Sequence, residues 1–315
     1  MKLHEKEMRQ VYGETLVELA KENKNIVVLE ADLMRSSGTS IFKENFPDRL
    51  IDVGVAEANM IGIAAGLSTL GKIPFCNTFT CFASRRVYDQ ITISVAYANR
   101  NVKIVGTSPG ITAGPNGGTH MCFQDLAIMR VMPNMVVLSP SDAYELREVI
   151  KWMVDYKGPV YMQLIRSKRP PIFDSNYKFT FNKAVVLTEG KDITIVSTGY
   201  TTYLVKEAVK ILSNKGIMVE HLHYPVIKPF DTRTLISSAS KTGFVITVEN
   251  QNIIGGLGGA VCETLSENYP VKVKRLGVPD KFGEVGTEDY LLKKHHFSIN
   301  DIVKTVEEEI RKERR

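Results

Sequence analysis

The segment LIDVGVAEANMIGIAAGLSTLGKIPFCNTF, residues 50–79, gives the clearest indication of the fold. Two short apolar runs, 50–56 and 73–79, lie on either side of a segment of alanine, glycine and larger apolar residues that is typical of a helix. Two strands joined by a crossover helix form a parallel βαβ unit. Glu57 is therefore expected where the first strand ends and the helix begins.

The same alternation extends in both directions and predicts an α/β protein with two domains, each a mostly parallel sheet flanked by helices. The first domain is predicted to span residues 1–185, with an extended linker at about 167–185 around a Pro-Pro pair, and the second to span 186–315. Predicted strands lie at 26–32, 50–56, 73–79, 102–108, 135–140 and 159–166, and then at 192–199, 219–224, 243–250 and 271–278. Predicted helices lie at 8–21, 57–70, 142–155 and 201–214, after Asp231, after the glycines of 255–260, and after Ser298.

Composition excludes several classes of protein. Hydrophobic residues make up 43% and charged residues 24% of 315 residues, as in a folded globular chain. The net charge of +5 is scattered apart from a short C-terminal run, which predicts no nucleic-acid surface. No apolar run is long enough to cross a membrane, and the four cysteines have neither metal-ligand nor paired spacing. We therefore expect a cytoplasmic protein with no metal site of its own.

Three segments carry candidate chemistry. Glu57 lies at the carboxyl edge of a parallel sheet, where α/β proteins bind ligands, although a carboxylate in a first helical turn also simply balances the helix dipole. Phe79 and Phe82 could stack on a heterocycle or could be ordinary core. His120 ends a loop with four glycines whose backbone could approach a ligand closely, yet most loop histidines have no catalytic role.

In their order along the chain, these segments resemble a known family. EADLMRSSGT, GVAEANMIGIAAGL, TFTCFASRRVYDQI, AGPNGGTH, MPNMVVLSPSD and GPVYMQLIR are similar to the pyrimidine-binding domain of transketolase. KPFD, ITVEN and GVPDKFGEVGT resemble the C-terminal domain of the same superfamily. The resemblance covers almost the whole chain, and it implies a thiamine diphosphate enzyme.

The resemblance implies roles for the cofactor-facing residues. Glu57 matches the glutamate that hydrogen-bonds N1′ of the aminopyrimidine, so that the 4′-nitrogen can take the proton from thiazolium C2. Phe79 and Phe82 match the aromatics that stack on the pyrimidine. Asp32, in the A-D-L motif, matches an acidic residue near the cofactor and the subunit interface.

It also implies residues that bind the substrate. Arg9, Ser36 and Arg166 match positions that grip the sugar phosphate, for which guanidinium groups offer planar forks to anionic oxygens. His120 matches a histidine that acts near the reacting carbonyl and hydroxyls of the substrate.

The sequence departs from typical transketolases at three positions of the substrate site. Ser108 stands where they have a histidine, Asn116 where they have an acid, and Met121 where they have a glutamine. Each change could alter sugar preference by about 1 to 3 kcal/mol if the group is buried.

The G-D-G motif that holds Mg²⁺ and the diphosphate in transketolases does not occur in this sequence. The resemblance therefore implies that Mg²⁺ is held by a partner, the N-terminal, diphosphate-binding transketolase subunit. It also implies that two copies of this chain pair within an α2β2 assembly that transfers a two-carbon ketol unit between a ketose phosphate and an aldose phosphate.

Two other functions fit the same features. One is the β-subunit of a 2-oxo acid dehydrogenase or a deoxyxylulose phosphate synthase-like enzyme, against which Arg9, Ser36 and Arg166 favour a sugar phosphate. The other is a non-catalytic interaction subunit, which the intact Glu57 and His120 disfavour.

Overall fold

The computed structural model describes residues 2–313, and the basic tail residues Arg314 and Arg315 lie outside that range. The strands are β1 Ile26–Glu30, β2 Leu50–Asp52, β3 Ile73–Phe79, β4 Lys103–Thr107, β5 Val136–Leu138, β6 Val160–Leu164, β7 Val185–Thr188, β8 Ile193–Ser197, β9 Val219–His223, β10 Val226–Lys228, β11 Phe244–Asn252 and β12 Lys272–Val278. The helices are α1 Met8–Glu22, α2 Met34–Ser37, α3 Ser40–Asn45, α4 Glu57–Thr69, α5 Thr80–Ala83, α6 Tyr88–Gln90, α7 Asp125–Val131, α8 Ala143–Asp155, α9 Thr201–Asn214, α10 Thr232–Thr242, α11 Leu257–Asn268, α12 Glu288–Lys294 and α13 Ile299–Glu313.

The chain divides into two compact units, and both contain segments that are discontinuous in sequence. The first holds the residues up to Pro109 together with Ile128–Thr180, and the second holds Gly110–Ala127 together with the residues from Phe181 onward. The glycine-rich loop of residues 110–118 is therefore part of the second unit. The domain boundary near residue 185 stays a prediction.

The first unit is built on parallel strands in the order β5-β6-β4-β3-β1-β2. Every residue of its strands β1 and β5 is buried, which explains why these strands are almost entirely apolar in the sequence. The fully buried side chains Leu16, Phe42 and Phe75 fill the core between the sheet and its helices. All the carboxyl ends of these strands consequently meet at one edge.

The five-stranded sheet of the second unit has the order β12-β11-β8-β9-β7. Four of them are parallel, and β7 pairs with β9 in the antiparallel direction. Helix α11 begins directly after a tight turn in which Gly255 has a φ of 83°. The buried carboxylate of Glu249 accepts hydrogen bonds from the Leu257 and Gly258 amides at 2.8 and 2.9 Å and so caps the start of this helix.

The predicted fold class is confirmed, and most predicted elements occur within a few residues of their predicted bounds. The segment 167–183 contains no helix or strand, and its role as a linker stays a prediction. The prediction missed β7 and β10, and it also missed short helices such as α2 and α5. Within residues 2–313, no helix is both long and apolar enough to cross a membrane.

Candidate active site

Glu57 is held at the carboxyl edge of the first sheet by the turn between β2 and α4. The backbone amide of Val53 donates to the Glu30 carbonyl, and Gly54 takes a φ of 72°, which turns the chain sharply into α4. Glu57 is the first residue of that helix and is only 3% exposed. A carboxylate so placed is stabilised by the helix dipole, but its burial requires a charged or hydrogen-bonding partner.

The Glu57 carboxylate has two partners. Nη1 of Arg86 donates to both of its oxygens at 3.0 Å. The Thr78 hydroxyl on β3 is 3.4 Å from Oε1, at the long limit of a hydrogen bond. The acid is thus paired with a cation whose own side chain is 45% exposed.

Phe79 and Phe82 lie beside this acid because β3 ends at Phe79 and the short helix α5 begins immediately after it. The two ring centroids are 6.0 Å apart with the ring planes inclined by 47°. Thr80 fixes the turn by donating its hydroxyl hydrogen to the Thr107 carbonyl of β4 at 2.7 Å. The Arg86 guanidinium carbon lies 3.7 Å from the Phe82 centroid, so one arginine contacts both the acid and a ring.

Two further arginines face each other at the same edge. The Arg9 amide donates to the Arg166 carbonyl at 3.2 Å, which brings the start of α1 against the end of β6. The Arg166 guanidinium carbon lies 5.4 Å from the Phe79 centroid. Burial, and secondarily the positive charge of Arg9, lower the pKa of Arg166. Among residues 2–313, no side chain accepts a hydrogen bond from the Arg166 guanidinium, so this cation is available to an anion.

Ser36 and Asp32 lie on the segment that follows β1. Arg9 donates from Nη1 to the Arg35 carbonyl at 3.3 Å, next to Ser36 in α2. A Cβ added at Gly38 would lie 2.1 Å from the Arg9 carbonyl oxygen, so only glycine lets this segment approach α1 so closely. Asp32 has a φ of 60° and an exposed side chain, and its amide donates to Asp52 Oδ1 at 2.9 Å.

Ser108 follows β4 at the same edge, and its amide donates to the Leu164 carbonyl of β6 at 3.0 Å. It is 3% exposed with a φ of 58°. Within the described part of the chain its hydroxyl has no hydrogen-bond partner. A buried hydroxyl in this state is suited to a ligand group or a water.

A buried acid lies below the edge, at the end of β1. Glu30 Oε1 accepts hydrogen bonds from Ser37 at 2.5 Å and Thr39 at 2.6 Å, and Oε2 has no partner among the described residues. Burial raises the pKa of Glu30 to about 8. The folded protein therefore carries this carboxyl protonated at neutral pH.

His120 and Asn116 belong to the second compact unit. His120 is half-buried, with Nδ1 2.8 Å from the Thr119 hydroxyl, and Asn116 is exposed. The glycines of their loop contact the chain's own backbone: a Cβ added at Gly114 or Gly118 would lie 2.3 Å from a carbonyl oxygen of residue 286 or 283, respectively. These glycines are therefore required for packing, and Met121 packs on the same segment.

The first unit thus collects Glu57, Phe79, Phe82, Arg9 and Arg166 around one edge of one sheet. Sequence reasoning missed Arg86, although its position four residues after the second aromatic was a usable signal. It also missed Glu30, whose only signal was a carboxylate inside an otherwise apolar strand. No group of three or more histidine, cysteine or acidic side chains suited to a metal ion occurs among residues 2–313.

Comparisons with known proteins agree with this architecture. The family model for the transketolase pyrimidine binding domain matches residues 4–171, and that for the transketolase C-terminal domain matches residues 182–302. Fold and site thus define the class, the pyrimidine-binding and C-terminal halves of a thiamine diphosphate-dependent enzyme. The chain belongs to the transketolase family.

Several of its relatives are of similar length. The chain is 49% identical over 98% of its length to the 6-deoxy-6-sulfo-D-fructose transketolase subunit SqwH of Clostridium sp. (strain MSTE9), covering 96% of that protein. It is 36% identical over 96% of its length to an apulose-4-phosphate transketolase subunit of Phocaeicola vulgatus, covering 97% of it. A solved structure described as a split gene transketolase, inactive beta4 tetramer, matches with a TM-score of 0.87 and 43% identity, covering 96% of this chain and 97% of the other. The chain is therefore the counterpart of the C-terminal subunit of split transketolases.

Proposed function

We propose that this chain supplies the pyrimidine-binding half of a thiamine diphosphate site, and that a separate, diphosphate-binding chain supplies the other half with Mg²⁺. The pair transfers a two-carbon ketol unit from a ketose phosphate to an aldose phosphate. One observation carries the proposal: Glu57, 3% exposed, shares an edge of the sheet with the inclined rings of Phe79 and Phe82.

These residues fit an aminopyrimidine chemically. Such a ring is planar, and its N1′ accepts a hydrogen bond from a carboxylic acid or, once protonated, donates one to a carboxylate, so it needs a carboxyl group in its plane and an apolar surface on its face. Glu57 offers the carboxyl group and the two phenyl rings offer the surface. The guanidinium of Arg86 is planar and carries N–H donors, and it contacts both the Glu57 carboxylate and the Phe82 ring. This supports the fit of a planar nitrogen donor between these two side chains.

When bound, thiamine diphosphate supplies the carbanion chemistry of ketol transfer. This chain's residues orient it and handle protons. Glu57 holds the pyrimidine N1′ and exchanges a proton there, and its burial keeps water from competing for that position. Phe79 and Phe82 fix the ring plane, and the exposed Asp32 lies at the rim. His120 acts near the reacting hydroxyls of the substrate.

Arg9 and Arg166 are proposed to bind the anionic end of the sugar. Glu7 pairs with Arg9 at 2.7 Å and offsets part of its charge, yet Arg9 still lowers the pKa of Arg166, and an oxyanion between the two guanidinium groups would relieve the repulsion that remains. Ser36 adds a hydroxyl to this anion site, and the hydroxyl of Ser108, which has no partner among the described residues, adds a further donor. Asn116 and Ser108, in place of an acid and a histidine, would set sugar preference.

The need for a partner is supported by the surface of α4. Ala58, Gly62 and Gly66 recur on one exposed stripe of this helix, and a Cβ added at either glycine would meet nothing within 4 Å. Val55, just before the helix, is 73% exposed. Small residues allow close approach of another element, so this stripe suits an interface in an α2β2 assembly.

Two features separate this function from its alternatives. The pyruvate-type substrate of a 2-oxo acid dehydrogenase has no distal anion to occupy the Arg9 and Arg166 pair, which disfavours that function, whereas a deoxyxylulose phosphate synthase-like enzyme, whose product also carries a phosphate, is separated by the assay below. A purely structural subunit would have no use for a buried acid beside two phenyl rings. The relative named as a sulfosugar transketolase subunit leaves both phosphate and sulfonate as candidate anions.

The test is an assay of the chain together with a diphosphate-binding partner from the same organism. With Mg²⁺ and thiamine diphosphate, the pair should transfer ketol units from fructose 6-phosphate or 6-deoxy-6-sulfofructose to an aldose phosphate. It should not decarboxylate pyruvate at a comparable rate. Pyruvate decarboxylation without ketol transfer would refute the proposal and support a 2-oxo acid dehydrogenase or a deoxyxylulose phosphate synthase-like enzyme. Absence of both activities, in a complex whose assembly is verified, would support a non-catalytic role.

A further inference from the structure

Arg86 makes two contacts that lie at the centre of the proposed cofactor site. Its Nη1 donates to both Glu57 oxygens at 3.0 Å, and its guanidinium carbon lies 3.7 Å from the Phe82 ring centroid. The flat guanidinium is thus bonded to the acid and packed on the ring at the same time. Arg86 lies in a short 3-10 turn, Arg85–Val87, directly after the helix that carries Phe82.

These are the same two contacts that an aminopyrimidine would make at this site. A guanidinium is planar, carries N–H donors at its margin and stacks on aromatic faces, so it resembles the pyrimidine in shape and, where N1′ is protonated, in hydrogen bonding. Both groups cannot hold the Glu57 oxygens and the Phe82 face together. We infer that Arg86 occupies the pyrimidine position in the cofactor-free protein and must leave before thiamine diphosphate can bind. This inference rests on the proposed function.

The arrangement has a physical reason. Glu57 is 3% exposed, and a buried carboxylate without a charged partner is costly. Its hydrogen bond with Thr78 is long, at 3.4 Å, and brings no charge. Arg86 therefore neutralises the acid until the cofactor takes over the hydrogen bond.

Release of Arg86 needs little rearrangement. Its side chain is 45% exposed, so the guanidinium can swing into water by side-chain rotation and be hydrated there. Release leaves Glu57 without its cation, which opposes it, while hydration of the freed guanidinium and the small worth of a single cation–π contact keep the closed pose only modestly favoured. If the open pose is about one-tenth of the population, the apparent dissociation constant of the cofactor is raised about tenfold.

The test measures cofactor affinity, independently of turnover. Thiamine diphosphate is titrated with Mg²⁺ into the cofactor-free complex of this chain and its partner by isothermal calorimetry. Arg86→Ala should bind about tenfold tighter than the wild type, because the competing group is gone. Arg86→Met, which keeps an unbranched stem, should also bind tighter, and it replaces the alanine variant should that one fold poorly. Arg85→Ala, which removes the same charge from the neighbouring residue, serves as the control and should leave the affinity within about twofold.

The outcomes separate this inference from the proposed function. Tight binding by the wild type, with equal or weaker binding by both Arg86 variants, overturns the inference and leaves the proposed function standing. If the Arg86 variants bind the cofactor more weakly than the wild type, Arg86 is a cofactor contact instead. Tighter binding by Arg85→Ala as well overturns it too, since general charge would then explain the effect. An assembled wild-type complex without measurable cofactor binding refutes the function, and the inference with it.

Discussion

Replacing Glu57 with glutamine tests the proton role of this residue with little change of shape. Glutamine keeps the length of the side chain and can still accept a hydrogen bond from Arg86, but it cannot take up or release a proton near neutral pH. The substitution therefore removes proton exchange at the pyrimidine while it leaves the cleft intact.

The structure predicts effects of different size on stability and on turnover. Glu57→Gln breaks the ion pair with Arg86. Because the Arg86 side chain is 45% exposed, water can solvate the charge that is left, and such pairs are worth about 0 to 1 kcal/mol. The substitution also removes a first-turn carboxylate from α4, which costs about 0.3 to 1 kcal/mol of stability. Removal of a buried charge stabilises the folded protein and offsets part of both losses. Turnover should fall by about a hundredfold or more, since a proton-relay group is removed. A hundredfold change corresponds to about 2.7 kcal/mol in the activation free energy.

The assay compares kcat of the reconstituted complex with saturating thiamine diphosphate and Mg²⁺, alongside the melting temperature of the chain. Glu14→Gln, a substitution on α1 that also removes one carboxylate, is a matched control and should retain wild-type turnover. A Glu57→Gln complex with near-normal turnover would remove this residue from the mechanism. Equal losses of stability and activity would assign it a structural role.

Two further predictions concern the same edge of the sheet. Because burial raises the pKa of Glu30 to about 8, the folded state keeps a proton that the unfolded state, with its ordinary value of 4.5, has already released. The wild-type free energy of unfolding should therefore fall as pH rises from 4.5 toward 8, and this group should contribute on the order of 1 kcal/mol per pH unit. In denaturant titrations across that range, the free energy of unfolding of Glu30→Gln should depend less on pH. Arg166→Ala should raise KM for a phosphorylated acceptor by about tenfold or more through loss of a charge-assisted contact, with a smaller change for an unphosphorylated one, as measured by initial rates.

Each of these has a clear opposing result. An unchanged pH dependence in Glu30→Gln would mean that the carboxyl is ionised in the folded protein. An equal change in KM for phosphorylated and unphosphorylated acceptors would mean that Arg166 does not bind the anion, and it would leave Arg9 as the remaining candidate.

The sequence predicts the sheets well because strands buried on both faces must be apolar throughout. β1 and β5 are wholly buried and are almost entirely apolar in the sequence. β7 was missed because only alternate residues are partly buried, so its hydrophobic pattern resembles that of the polar segment before it. The extent of a compact unit depends on long-range packing, which is why the place of segment 110–127 in the second unit was not predictable.

The site was predictable in outline and not in its contacts. The spacing from strand to helix located Glu57, and the end of β3 located Phe79. That Arg86 pairs with that acid depends on the path of a short turn, which residue spacing alone does not specify. The glycine content of 110–118 suggested that this backbone approaches a ligand, but the close neighbours of these glycines are residues far along the chain.

The proposed function requires that this chain holds only half of a cofactor site. Isothermal titration of thiamine diphosphate with Mg²⁺ into the purified chain, with and without its diphosphate-binding partner, examines that requirement without any assay of turnover. The chain alone should bind weakly or not at all, and tight, Mg²⁺-dependent binding should arise once the partner is present. Tight, Mg²⁺-dependent binding by the chain alone would show that the site is not divided between two chains.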